Sequence, residues 1–154
     1  MHIAGLDDDL IDAFRSVVED GHRPDALVVP VAIPPGDSEL PATLHQIEAL
    51  LERELSRLSP RVLIVAVVAD GDAARARAIA AEIVDGASVY SSNSLGRDLT
   101  AIGVVVDDQA HRDVVVGRVC DHLRGGSNLG DGTVVIAKDL RRSSLRDLIL
   151  EDVL

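Results

Sequence analysis

Apolar and polar positions along this chain follow two periods. Short runs that are apolar throughout alternate with longer stretches in which apolar residues recur every three or four positions. Val62–Ala69 is the clearest of the first kind. It holds eight apolar residues without alternation, the pattern of a strand covered on both faces. Similar runs at His2–Leu6, Ala26–Ile33, Ala87–Ser91, Leu99–Val106 and Thr133–Lys138 bring the expected strands to six. Pro30 offers no main-chain donor, which places the second run at a sheet edge or a bulge.

The stretches between them predict five helices. In the first, Leu10, Ile11, Phe14, Val17 and Val18 share a face, with Asp7 or Asp8 as cap and Gly21 as terminator. The second starts at Ser38, keeps Leu40, Leu44, Ile47, Leu51, Leu55 and Leu58 in register, and stops at Pro60. The third carries Ala76, Ile79, Ala80, Ile83 and Val84 between Asp70-Gly71-Asp72 and Gly86. The fourth runs from Asp107 and Asp108 through Leu123. The fifth begins at Ser144, with Asp147 three residues on in a capping-box spacing.

Near-strict alternation of strand and helix predicts an α/β layered sheet in a single domain over 1–154, with a faint division at Pro60 into 1–60 and 61–154. No helix fits between Ala87–Ser91 and Leu99–Val106, so these two runs are expected to pair antiparallel. The result is β-α-β-α followed by a ferredoxin-like β-α-β-β-α-β unit. A flavodoxin-like doubly wound sheet is the alternative.

Composition narrows the function classes. Asp and Glu outnumber Lys and Arg by 26 to 15, giving a formal charge of −11, which argues against a DNA or RNA partner. Phe14 and Tyr90 are the only aromatics, so a stacking platform for single strands is missing. Cys120 stands alone in an apolar helical stretch, which predicts a buried, inert thiol. No apolar run is long enough to span a bilayer, and Met1–Gly5 lacks a signal-peptide core; a cytoplasmic location is the expectation.

The densest candidate chemistry is Gly125-Gly126-Ser127-Asn128-Leu129-Gly130-Asp131-Gly132-Thr133. Glycine takes positive φ cheaply, and successive free N–H groups in such a loop form a concave nest for an anion. Asn128, Gly130, Asp131, Gly132 and Thr133 are therefore candidate ligand contacts. Arg97 in the polar loop Ser91–Asp98, with Arg141 and Arg142, would supply positive charge. Neither a P-loop nor a nucleophile elbow occurs, and no catalytic acid–base pair stands out. Asp37, Asp70 and Asp107 each follow an apolar run. They read as helix caps or, at the carboxyl ends of parallel strands, as Mg²⁺ ligands, with Asp70 and Asp37 the leading pair. His111 and His122 share a helical face but lie about 16 Å apart, too far for one metal.

Within Arg61–Arg146 three features resemble the PII and PII-like signalling proteins. They are the order of elements, the strand end Val104-Val105-Val106-Asp107-Asp108 ahead of a helix, and Leu129-Gly130-Asp131-Gly132-Thr133-Val134-Val135-Ile136. The last is similar to that family's phosphate-binding loop and the strand after it. The resemblance implies a homo-oligomer that binds an adenine nucleotide between subunits. The leading expectation is thus a non-catalytic regulatory or ligand-binding domain for a small anionic ligand. Two alternatives stay open: a small Mg-dependent α/β enzyme with Asp residues at strand carboxyl ends, and a structural or partner-binding domain.

Overall fold

The computed structural model describes residues 1–17, 23–69, 71–125 and 130–153. The apolar runs form one five-stranded, wholly parallel sheet: β1 (His2–Ile3), β2 (Ala26–Ala32), β3 (Val62–Val68), β4 (Thr100–Val106) and β5 (Val134–Ile136). The strands lie side by side in chain order, so those on either side of Pro60 share one sheet. Five helices connect and follow them: α1 (Asp8–Val17), α2 (Leu40–Leu58), α3 (Ala73–Leu95), α4 (Arg112–Arg124) and α5 (Leu145–Val153). Gln109–His111 and Ala137–Arg141 are short 3-10 turns.

The central strands β2, β3 and β4 pair over seven residues each, with Val29, Val65 and Gly103 at the same level. Alternate residues serve two hydrophobic layers. Leu27, Val29, Leu63, Val65, Val67 and Val105 pack under α2 and α3. Val28, Ile64, Ala66, Ile102 and Val104 pack under α1, α4 and α5. Both faces are buried, so the strands need no polar alternation. Fully burying each Leu, Val or Ile contributes about 1.5–3 kcal/mol, and these layers hold the fold together.

All four crossovers step in the same direction across the sheet. Yet α1 and α4 lie on one face, and α2 and α3 on the other. Equal steps over opposite faces have opposite hands, so two crossovers are right-handed and two left-handed. Parallel crossovers are right-handed in about 98% of cases, which makes this winding uncommon. Coverage of both faces is what a doubly wound sheet requires, but the strand order differs from the flavodoxin-like 2-1-3-4-5.

The expected strand at Ala87–Ser91 is not one. α3 runs unbroken through Gly86, and its buried stripe Ile79, Ala80, Ile83, Val84, Ala87 and Ser91 keeps helical spacing throughout. Gly86 faces open space and is tolerated inside the helix. Gly96, at φ 63° in the left-handed region, ends it instead. The antiparallel pair and the ferredoxin-like unit built on it are therefore replaced by a parallel β3-α3-β4 crossover. The last expected strand is also shorter, ending at Ile136 before the turn Ala137–Arg141.

Pro30 lies in β2, an inner strand rather than an edge, but β1 flanks that strand only as far as Val28. The chain then folds over β2, with the Leu6 and Asp7 N–H groups donating to the Pro30 carbonyl at 2.9 and 3.2 Å. A Cβ on Gly5 would sit 2.2 Å from that oxygen, so only glycine allows the approach. Cys120 is buried as expected, and burial raises its thiol pKa.

Candidate functional site

In a parallel α/β sheet the helices run back against the strands, so helix C-termini gather at the amino ends of the strands. Here α2 closes with Ser59 in the left-handed region, its N–H donating to Leu55 O. Pro60 and Arg61 then lead into β3. The Arg61 N–H donates to Asp25 O at 2.8 Å, and Arg61 O accepts from Thr100 N at 2.9 Å. After Gly96 caps α3, Arg97 N–H donates to Ser91 O at 3.1 Å and Arg97 O accepts from Ser91 Oγ at 3.0 Å. These bonds fix both arginines at neighbouring strand starts.

The loop before β5 is fastened to the same end. Asp131 Oδ1 accepts from Ala101 N at 2.9 Å and from Ser88 Oγ at 3.1 Å, tying the loop to β4 and α3. Between these parts lies a cleft of about 1050 Å³. Its charged lining is Arg61, Arg97, Asp98 and Asp131, and Ser59, Ser88, Ser92, Asn93 and Thr100 add hydroxyl and amide groups. Among the described residues, neither the Arg61 nor the Arg97 guanidinium is held in an ion pair or a side-chain hydrogen bond. Both side chains are exposed to solvent.

The structure thus brings two of the expected contacts, Arg97 and Asp131, into one cleft and adds Arg61. It uses the glycine loop differently. Gly132 N–H donates to Ala101 O at 2.8 Å and Thr133 N–H to Gly130 O at 2.9 Å, so two of the loop's amides are engaged by the protein's own carbonyls. Thr133 is buried at 4% exposure. Gly130 and Gly132 both have positive φ, and Gly130 lies against Ile149 of α5, so each glycine has a structural reason of its own. Asn128 lies outside the described residues. Arg141 and Arg142 follow β5 at the opposite end of the sheet, exposed and away from the cleft.

At the carboxyl ends, one candidate metal ligand, Asp37, is held in an ion pair, and the neighbours of the other two, Asp72 and Asp108, serve as caps. Asp37 Oδ1 accepts from Arg75 at 3.1 Å. Asp72 caps α3 through Arg75 N, and Asp108 accepts from Ala110 N at 2.9 Å. Asp70 lies outside the described residues. Among the described residues, no group of three or more His, Cys, Asp or Glu side chains is placed to hold a metal ion. One pair escaped the sequence reading: His111 Nδ1 stands 3.7 Å from Asp107 Oδ1, both atoms buried and neither hydrogen-bonded. Its signal was the four-residue spacing Asp107-x-x-x-His111 at a helix start.

No family model, no curated protein and no solved structure matches this chain. Among the described residues, no helix is long and apolar enough to cross a membrane.

Proposed function

We propose that the protein is a binding module for a small molecule bearing a carboxylate or phosphate, held in the cleft at the amino end of the sheet. One observation carries this reading: two exposed guanidinium groups line one polar cleft in a chain of net charge −11, Arg97 with no ion pair among the described residues and Arg61 acting at longer range on Asp25. Arginine presents a planar fork of donors that matches either oxyanion in bidentate fashion. Ser88, Ser92 and Asn93 would bond the ligand's neutral groups. The parallel β3-α3-β4 crossover and the engaged loop amides remove the element order and the phosphate loop of the PII-like resemblance, so an adenine nucleotide shared between subunits enters only as one member of this ligand class. The cleft is open, and Val89 at its rim is 57% exposed, which leaves room for a neighbouring subunit.

The test is calorimetric titration of the full chain with a panel of carboxylates and phosphates that includes ATP and ADP. At least one compound is expected to bind. Because a hydrogen bond to a charged group contributes about 1.5–3 kcal/mol, Arg61→Ala and Arg97→Ala should each weaken it roughly ten- to hundredfold. Binding that survives both substitutions, or no binding across the panel, contradicts the reading. Sedimentation of the same samples decides whether the ligand is shared between subunits.

A further inference from the structure

Resting on that reading, the electrostatics of the cleft narrow the class of ligand. Arg61 and Arg97 contribute two positive charges to the lining, and Asp98 and Asp131 two negative ones. Two helices of 19 and 23 residues, α2 and α3, both end here. A helix C-terminus carries roughly −0.5 of an elementary charge, so the pair brings the lining to a net of roughly −1. The last-turn carbonyls of a helix also lack partners within it, and Ser92 and Asn93 of α3's final turn line the cleft. Asp131 spends Oδ1 on Ala101 and Ser88, which leaves Oδ2 as an acceptor.

A polyanion such as a nucleoside triphosphate meets this surface at a disadvantage. Its several charges exceed what two arginines offset, and the carboxylates and helix ends repel the remainder. A single carboxylate satisfies the guanidinium groups. The remaining acceptors ask for a compact cation with several donors, and an ammonium group supplies three. Arg97 and Asp98 both line the cleft, so opposite charges are present within one lining.

We propose that the cleft binds a zwitterion, an α-amino acid being the smallest molecule that joins a carboxylate to an ammonium group. Arg61 and Arg97 take the carboxylate; Asp98, Asp131 and the α3 carbonyls take the ammonium.

The experiment is calorimetry of the full chain with the common amino acids, their N-acetylated counterparts, and ATP. Acetylation removes the positive charge and keeps the carboxylate. At least one amino acid should bind about tenfold or more tightly than its acetylated form, a difference of about 1.4 kcal/mol. Asp98→Asn should shrink that preference, whereas Arg97→Ala should weaken both forms alike. If an acetylated form or ATP binds as tightly as any amino acid, the zwitterion inference falls and the anion-binding reading stands. If a preference exists but survives both Asp98→Asn and Asp131→Asn, the assignment of the ammonium subsite falls. If nothing in either panel binds, both readings fall.

Discussion

At the scale of single residues, the glycine loop shows how one composition serves two purposes. Gly130 sits at φ 99°, and a Cβ there would approach the Ile149 side chain to 2.8 Å. Ile149 is 1% exposed, packed in the layer under α1, α4 and α5. Gly130→Ala should therefore cost about 1–3 kcal/mol in urea unfolding. Gly117, inside α4 with nothing near its absent Cβ, should give the opposite sign, a gain of about 0.5–1 kcal/mol for Gly117→Ala. Equal effects at the two sites would show that the loop is not packed as described. His122 offers a pH test. It is 7% exposed, its Nε2 has no hydrogen-bond partner among the described residues, and burial, followed by the positive charges of Arg23 and Arg146, holds its pKa below the ordinary 6.5. The folded state then binds fewer protons than the unfolded state. Its stability is unaffected above pH 6.5 and declines as pH falls from 6.5 toward the folded pKa. His122→Leu should flatten that decline; an unchanged acid limb in the denaturation midpoint would contradict it.

Among the elements, α3 is where sequence and structure part. Its first half was legible from the 3.6-residue period, and the three central strands from their unbroken apolar runs. Glycine usually ends helices, which makes Gly86 the expected stop. The buried stripe continues past it in step, from Ile83 and Val84 to Ala87 and Ser91. That continuity was visible in the sequence but outweighed by a local rule, and tertiary burial decided the outcome. Gly86→Ala should accordingly stabilise the protein by about 0.5–1 kcal/mol, read from thermal unfolding; a loss would mean the helix breaks there. Asp131 was legible as a loop acid, but its partners Ala101 and Ser88 come from elements far away in the chain. Asp131→Ala strips a buried main-chain N–H of its acceptor and should cost about 1–3 kcal/mol, with Ser88→Ala costing less.

For the molecule as a whole, alternation of strands and helices announced the α/β class. The order of strands and the mixed hand of the crossovers were beyond reach, because neither leaves a periodic trace. The candidate site was half legible. Arg97 and Asp131 stand out in sequence as polar loop residues near glycines, while nothing in the pattern singles out Arg61. Only the in-register pairing of β3 with β4 brings Arg61 beside the chain segment that follows α3. The whole-molecule charge of −11 also gives the account its sharpest condition, since an anion must find the two arginines against a repelling background. The most direct measurement is a map of backbone amide shifts while the tightest-binding compound of the two panels is titrated to saturation. The account predicts shifts concentrated at Arg61, Ser88, Asn93, Arg97–Thr100 and Asp131, and lost in Arg97→Ala. Shifts centred instead on Asp37, Asp72 and Asp107 at the other end of the sheet, or scattered without a focus, would contradict it.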